Sequence, residues 1–211
     1  MRLMIFVLGL TLCSVGYSAI NTETHQNFAT YHASALNQKN SMDLRWQAVF
    51  SAAQKANKNE LNLVKQYANQ PEWFMRNAAL LAINKFDQPS AEVMAQKLLS
   101  DKALVVRSAA VDVLSEKSLM KNRNLLVSEL SKAYNFNKQV SLWIRPQIME
   151  KLSHIAKPEE KKFFATYLYD KDPQVVQYSM NALEKITGVT YPGAQRLTAW
   201  KRYVKSNHLV Q

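Results

Sequence analysis

The sequence is poor in the residues that interrupt regular structure. Its 211 residues include four glycines and six prolines, and strand-like alternation of apolar and polar residues is scarce. Tight turns should therefore be few, since glycine and proline are the residues that most often make them. Residue types that favour helices, namely Ala, Leu, Lys, Gln and Met, dominate instead. This composition predicts an all-α protein, and the length requires no more than one folded unit.

Cysteine is almost absent as well. The single cysteine, Cys13, lies in an N-terminal segment with the layout of a secretory signal peptide: one positive charge, an apolar run and then small residues. We expect this signal peptide to span residues 1–18. Its cleavage would leave no cysteine, which excludes a disulfide, a thiol nucleophile and a cysteine-based metal site. An uncleaved membrane anchor and lipid attachment at Cys13 are the alternatives.

Motifs for catalysis and for metal or phosphate binding are also lacking. The four histidines show no His-Glu-x-x-His spacing, and there is neither a Gly-rich phosphate loop nor a Gly-x-Ser-x-Gly nucleophile elbow. We therefore predict no catalytic residue, no metal site and no cofactor, and we expect that the protein is not an enzyme. The tryptophans are expected to pack between helices rather than form a peptide-binding patch; they are Trp46, Trp73, Trp143 and Trp200.

Acidic residues are few relative to basic ones. The chain has 27 Lys and Arg against 16 Asp and Glu, a formal net charge of +11 that loss of Arg2 with the signal peptide would lower to +10. A charge of this sign favours acidic proteins, anionic envelope polymers or phospholipid head groups as partners. Export to the periplasm or out of the cell argues against nucleic acid as the natural partner.

Internal repetition is what the sequence has in abundance. The stretch Trp73–Ile83, WFMRNAALLAI, recurs as Leu104–Leu114, LVVRSAAVDVL. The central arginines of these two stretches, Arg76 and Arg107, are 31 residues apart. The same lattice runs through Arg45, Arg76, Arg107, Arg145 and Val176, with successive steps of 31, 31, 38 and 31 residues. An internal repeat of this length is typical of stacked two-helix units.

Around each lattice position, apolar or small residues recur at i, i+4 and i+8, which is one face of a helix. These stripes are Leu44/Ala48/Ala52, Met75/Ala79/Ile83, Val106/Ala110/Leu114, Ile144/Ile148/Leu152 and Val175/Ser179/Leu183. We predict about five two-helix repeats over residues 41–188, with capping helices over 19–40 and 189–211 that cover the open ends of the stack. The longest step adds seven residues within 116–142, either a tolerated insertion or a functional loop.

The repeats resemble those of a known family. The Asp-Pro-x-Val-x-x-x-Ser-x-x-Ala-Leu pattern at Asp172–Leu183 and the Val-Arg-x-x-Ala core at Val106–Ala110 are similar to the short bacterial class of HEAT repeats. The resemblance covers residues 41–188. It implies a right-handed α-α superhelix, a HEAT-like solenoid, in which second helices line an inner surface that binds a partner. The chain departs from the pattern where Val176 replaces arginine and Ile148 replaces a small residue.

Two sets of basic residues follow from this resemblance. The repeat arginine of the family typically ties neighbouring repeats together, so we expect structural roles for Arg45, Arg76, Arg107 and Arg145. Because these arginines sit early in helices, where the helix dipole disfavours a cation, acids nearby in sequence should compensate them: Asp43, Glu72 and Asp101. Lysines off the apolar stripe of the second helices are the predicted partner-binding residues, unless they are merely solvated: Lys65, Lys97, Lys132, Lys161 and Lys162.

The sequence thus predicts a monomeric, exported helical-repeat scaffold. Its concave surface is expected to bind a partner protein, acidic in character, or an anionic envelope component. The alternative is a basic nucleic-acid-binding protein similar to the HEAT-like DNA glycosylases, which would require retention in the cytosol. No membrane span is expected once the signal peptide is removed.

Overall fold

Almost every regular element of the chain is an α-helix. The structure, a computed structural model, describes residues 27–210, and this range holds twelve α-helices and one short β-hairpin. The helices are α1 (Phe28–Leu36), α2 (Met42–Lys55), α3 (Lys58–Gln66), α4 (Trp73–Phe86), α5 (Gln88–Leu98), α6 (Leu104–Val113), α7 (Glu116–Lys121), α8 (Arg123–Glu129), α9 (Ile144–His154), α10 (Lys161–Tyr167), α11 (Pro173–Thr187) and α12 (Arg196–Ser206). The hairpin strands are β1 (Phe136–Asn137) and β2 (Val140–Ser141). The predicted signal peptide, residues 1–18 with Cys13, lies outside the described range.

The helices stack in consecutive pairs. The first helices α2, α4, α6, α9 and α11 each contact the next one along the stack. The second helices α3 and α5 each pack against the first helices on both sides, and α10 packs against α11. In the third pair the short helices α7 and α8 follow α6 in the second-helix position, and α8 packs against α9. The predicted all-α repeat solenoid is confirmed, with a core that runs along the whole stack.

Side-chain caps set where the helices begin and end. Ser41 accepts a hydrogen bond from the Leu44 amide at the start of α2, and Asp172 accepts from two amides at the start of α11. Gly188 ends α11 with a φ of 72°, a left-handed conformation that glycine adopts without steric cost. The Ser at position 90 is typical of a helix cap, but Asp87 caps α5 by accepting a hydrogen bond from the Ser90 amide.

Small residues let the first helices approach one another closely. The middle position of the predicted stripes is almost fully buried in every repeat, including Ala79, Ala110 and Ser179 with no exposed surface. Leu44, the first residue of the stripe in α2, is not covered, since it is 54% exposed. Its counterpart Met75 is covered because α3 of the preceding pair packs on α4, whereas α2 is preceded among the described residues by α1 alone.

The step from Arg107 to Arg145 is seven residues longer than the standard step of 31, and this additional length lies around the turn between the third and fourth pairs. Residues 136–141 form the β-hairpin, and its two-residue loop places Lys138 and Gln139 at φ of 47° and 69°. Because the hairpin occupies this stretch, α9 begins at Ile144, three residues later than the expected start near Ser141. Pro146 falls in the first turn of α9, where a missing amide hydrogen costs little.

Aromatic side chains close both ends of the stack. At the N-terminal end Phe28, His32 and Tyr67 stack with ring centroids 5.2 and 5.7 Å apart, and His32 Nδ1 is 2.5 Å from the Tyr67 hydroxyl. At the C-terminal end Trp200 of α12 is fully buried. Arg196 joins α12 to α11 through an ion pair with Glu184 at 2.7 Å.

The expectation that all tryptophans pack inside the stack was wrong for two of them. Trp73 and Trp143 are 43% and 58% exposed. Trp73 is the first residue of α4, and Trp143 directly precedes α9. Side chains at these positions lie at the ends of the first helices, beyond the layer that the next pair covers.

Overpacking the contact between first helices tests the stacking register. Replacing Ala110, which has no exposed surface, with leucine should lower the free energy of unfolding by about 1–3 kcal/mol, because the neighbouring helices leave no room for three more carbon atoms. Denaturant unfolding would measure the change. Ala33→Leu at an exposed position of α1 is the matched control and should change it little. Equal midpoints for Ala110→Leu and the parent would contradict the register.

Candidate partner-binding surfaces

The repeat arginines are buried and join consecutive inter-repeat turns. Arg76 shows the pattern most completely: its Nη1 donates to the carbonyl oxygens of Gln70 and Pro71, at 2.9 and 2.7 Å, in the turn before α4. Its Nε and Nη2 donate to both carboxylate oxygens of Asp101, at 2.6 and 2.7 Å, in the turn before α6. One side chain thus fixes the two turns that flank its own helix pair.

Arg145 repeats this arrangement in the fourth pair. Its Nε donates to the Leu130 carbonyl at 2.7 Å, and Nη1 and Nη2 donate to the two carboxylate oxygens of Asp170 at 3.2 and 2.5 Å. The guanidinium also lies over the ring of Phe136, 4.4 Å from its centroid. Its side chain is 5% exposed, so all its strong interactions are with the protein itself.

Arg45 makes a simpler version of the same connection in the first pair. Its Nε donates to the Ala35 carbonyl at 2.9 Å, before α2, and its Nη1 donates to Glu72 Oε1 at 3.1 Å, before α4. The guanidinium also stacks on Phe74, 5.0 Å from the ring centroid. The cap α1 is thereby attached to the same series of ties as the repeats.

Arg107 has an amide rather than a carboxylate as its partner. Its Nε donates to Asn135 Oδ1 at 3.0 Å, and its Nη2 donates to the Tyr134 carbonyl at 2.9 Å. The buried carboxylate of Glu129 lies behind this contact, accepting from the Tyr134 hydroxyl at 2.7 Å and from the Asn135 amide. Burial lowers the pKa of Arg107, and Tyr134 and Glu129 partly oppose that shift.

The compensating acids come from the next turn rather than from the nearest sequence neighbour. Glu72 pairs with Arg45 and Asp101 pairs with Arg76. Each acid therefore binds the arginine of the preceding repeat rather than the arginine that is nearest to it in sequence. Asp43, the expected partner of Arg45, accepts instead from Gln47 on the exposed face of α2. A polar residue 25 to 28 positions after each arginine was the sequence feature that could have revealed this pairing.

The carboxylates of these ties are held in their charged form. Burial alone would raise the pKa of Asp101, but the hydrogen bonds from Arg76 and from the Ala103 amide outweigh it and hold the pKa below its usual value. The pKa of Asp170 is lowered in the same way, with burial opposed by hydrogen bonds from Arg145 and from the Asp172 amide. Each pair therefore keeps both charges at neutral pH.

Two of the predicted partner-binding lysines line one groove between successive second helices. This groove, called here the α3/α5 groove, has a volume of about 520 Å³ and is lined by Lys65, Ala68, Asn69, Pro89, Ser90, Val93, Met94 and Lys97. Val93 is 55% exposed, and Lys97 is exposed without an ionic partner among the described residues. Lys65 instead lies 2.8 Å from both Asp87 Oδ2 and Ser90 Oγ, so its charge is already compensated.

The other three predicted lysines lie outside that groove. Lys132 occupies the turn after α8, where its carbonyl accepts from the Asn135 amide, and it is not on a second helix. Lys161 and Lys162 begin α10, with Lys162 exposed and Lys161 half-buried. The structure therefore brings two of the five lysines together.

A larger cleft lies beside the hairpin, at the ends of the helices. This hairpin cleft has a volume of about 860 Å³ and is lined by Ala133, Phe136, Lys138, Gln139, Val140, Ser141, Arg145, Tyr169, Asp170, Lys171, Asp172 and Pro173. Its two walls are successive inter-repeat turns, and the Arg145–Asp170 pair joins them. The sequence pointed to the insertion within 116–142 but not to the turn at residues 169–173 that faces it.

Residues 27–210 contain neither a cluster of metal-ligating side chains nor a membrane-spanning helix. This range contains no group of three or more His, Cys, Asp or Glu side chains arranged to hold a metal ion. None of its helices combines the length and the apolar character needed to cross a membrane.

Comparison with protein-family models finds a match to the model of HEAT repeats over residues 33–115. The matched range begins within α1 and ends just after α6, and it contains both partners of the Arg45–Glu72 and Arg76–Asp101 ties. The resemblance predicted from the repeat pattern is therefore confirmed. Comparison with curated proteins finds no match.

The lowered carboxylate pKa values predict acid sensitivity of the ties. An acid whose pKa is lower in the folded than in the unfolded state stabilises the fold above its unfolded value, about 3.9, and loses that effect as the pH falls through the folded value. The difference in unfolding free energy between the parent and Asp101→Asn should therefore be largest near pH 6 and shrink toward pH 2. Asp112→Asn, at an exposed carboxylate, is the control. Parallel pH curves for the parent and Asp101→Asn would contradict the prediction.

Proposed function

Because the chain carries HEAT repeats over residues 33–115, we propose that it is an exported scaffold that binds an acidic partner protein through its second helices. HEAT repeats typically mediate protein interactions, and scaffolds built from them are generally not enzymes. The signal-type N-terminal sequence supports the proposal of a role in the periplasm or outside the cell. The α3/α5 groove is the proposed contact surface.

The proposal rests on one observation: most carboxylates form ion pairs or hydrogen bonds within the protein, whereas few lysines form ion pairs. Carboxylates in ion pairs with arginine or lysine are Glu72, Asp87, Asp101, Asp112, Glu160, Asp170 and Glu184. Further carboxylates bind hydroxyl or amide groups, as Glu129 does at Tyr134 and Asp172 does at the start of α11. Most of the negative charge is therefore fixed inside contacts of the fold.

The lysines are used quite differently. Within residues 27–210 only Lys65 and Lys151 form ion pairs among the lysines. Of the other lysines, Lys85 and Lys201 lie over aromatic rings and Lys185 donates to the His154 carbonyl, while most of the rest are exposed. Each ion pair removes one positive and one negative charge, so the excess of positive charge remains and is carried mainly by exposed lysines. Such a surface raises the association rate of acidic proteins and makes that rate sensitive to salt.

The α3/α5 groove combines this charge with apolar surface. Val93 and Met94 present apolar groups beside the free ammonium of Lys97. A protein partner can bury apolar atoms against the first two while its carboxylates approach the third. Because Lys65 is already paired with Asp87, we assign it a positioning role between α3 and α5 rather than a direct role in recognition.

A triple charge reversal, at Lys97 of the groove and at Lys161 and Lys162 of α10, tests the role of the second helices together. Lys97→Glu with Lys161→Glu and Lys162→Glu should slow association with an acidic partner captured from envelope extract, by about tenfold or more at low salt and less at moderate salt. The matched control is Lys39→Glu with Lys55→Glu and Lys205→Glu, which changes the charge equally at exposed positions off the second helices.

Equal effects of the two triple variants would show that only net charge matters and would remove the second helices from the proposal. Unchanged rates in both would contradict electrostatic recognition altogether. A captured partner that proved to be nucleic acid would overturn the protein-scaffold function in favour of the nucleic-acid alternative.

A further inference from the structure

The hairpin cleft exists because of the insertion, and the regular repeats do not produce it. Arg107 precedes its turn residue Asn135 by 28 positions, whereas Arg76 precedes Asp101 by 25. The next repeat arginine then follows Asn135 by ten positions, whereas it follows Asp101 by six. The seven additional residues are therefore divided, three before Asn135 and four after it. The four after it allow the hairpin to form and to stand opposite the next turn.

Apolar side chains in this cleft are left open to solvent. Val140 is 68% exposed and Tyr169 is 53% exposed, and Phe136 and Pro173 continue the apolar lining. Exposed apolar groups that converge in a concave site, rather than being scattered singly, are typical of a surface that binds something.

The free charges of the cleft are both positive. Lys138 and Lys171 are exposed and form no ion pair with any residue of the range 27–210. The two acids of the lining are occupied, Asp170 by Arg145 and Asp172 by the amides at the start of α11. An occupant of complementary charge is therefore acidic.

The hairpin loop keeps a conformation that its residues disfavour. Both of its central residues, Lys138 and Gln139, have positive φ, the pattern of a type I′ turn that Asn and Gly strongly prefer. For residues other than glycine, the left-handed region is disfavoured because Cβ comes too close to the following carbonyl oxygen. Backbone strain of this kind tends to gather at binding sites, where it serves to place side chains.

We propose that the hairpin cleft binds an acidic peptide segment of a partner protein, with one large apolar side chain flanked by carboxylates. The apolar side chain would cover Val140 and Tyr169, and the flanking carboxylates would approach Lys138 and Lys171. Arg145 takes no part in recognition, because its hydrogen bonds to Asp170 and to the Leu130 carbonyl already occupy it. This site is distinct from the α3/α5 groove and extends the proposed function to a second surface.

The apolar lining decides between an acidic peptide and other polyanions. A phosphate-rich polymer offers negative charge but nothing that would remove Val140 and Tyr169 from water. Burying one large apolar side chain contributes more to binding than an exposed ion pair does. The site should therefore discriminate by the central residue of the peptide as well as by its charge.

The probe for this proposal is an end-blocked peptide of sequence EDFDE. It would be titrated into the full-length, ¹⁵N-labelled protein while amide chemical shifts are followed. Saturable shifts confined to residues 136–141 and 169–173 are expected, with affinity at least about tenfold higher than for the peptide EDSDE, because the serine peptide cannot bury an aromatic ring. The peptide KKFKK should not bind.

Variants locate the two contributions. Val140→Ser should weaken binding of EDFDE but not of EDSDE, because it removes the apolar contact alone. Lys138→Gln with Lys171→Gln should lower the affinity for EDFDE by about threefold or more at low salt, because the double change removes both positive charges at the rim of the cleft. The matched control is Lys55→Gln with Lys121→Gln, which alters the net charge equally at exposed positions outside the cleft.

Absence of saturable shifts, equal binding of EDFDE and EDSDE, or shifts that map to other residues would each overturn this proposal. Tighter competition by inorganic polyphosphate than by EDFDE would also overturn it, in favour of a polyanion site. The Lys97→Glu variant should leave EDFDE binding unchanged. Failure of the cleft proposal is therefore distinguishable from failure of the α3/α5 groove.

Discussion

The stack depends on one repeated interaction: a buried guanidinium that hydrogen-bonds to the turn before its helix pair and to the turn after it. Arg76 does this with carbonyl groups on one side and the Asp101 carboxylate on the other. Desolvating a guanidinium is tolerable only when its donors are satisfied, so the positions of both turns are constrained together. Small residues such as Ala110 in the first helices add the complementary requirement that successive pairs pack closely. Apolar burial supplies most of the driving force, and the arginine ties specify which turn lies against which helix.

This constraint also shapes the exposed surface. The acids that satisfy arginines or cap helices are held in contacts of the fold, whereas nearly all the lysines are not. A solenoid built in this way carries its excess of positive charge mainly on exposed lysines, which is the physical basis for an acidic partner. The insertion adds a different kind of feature. By lengthening the chain around Asn135 it leaves the arginine ties in place and creates a cleft at the ends of the helices.

The repeat architecture was predictable because the arginine lattice and the small-residue stripes are local patterns that recur at fixed spacing. The pairing of Arg76 with Asp101 was missed because the compensating acid lies 25 residues downstream and becomes a neighbour only after a helix pair has folded back. The hairpin was missed because its loop, Lys138-Gln139, lacks the Asn or Gly that normally announces a type I′ turn. Lys65 was assigned to a free surface because it lies off the apolar stripe of its helix, but Asp87, which caps α5, also pairs with this lysine.

The most direct measurement of the central claim is a double-mutant cycle on Arg76 and Asp101, read as free energies of unfolding. Each of Arg76→Met and Asp101→Leu leaves a buried polar partner unsatisfied and should lower stability by about 3–5 kcal/mol. The loss of unfolding free energy in the double variant should be smaller than the sum of the two single losses, with a coupling energy of about 2 kcal/mol or more. The exposed pair Lys151 and Asp112 provides the reference and should couple by no more than about 1 kcal/mol. Additive effects at Arg76 and Asp101 would contradict the claim that the buried arginine ties hold successive repeats together.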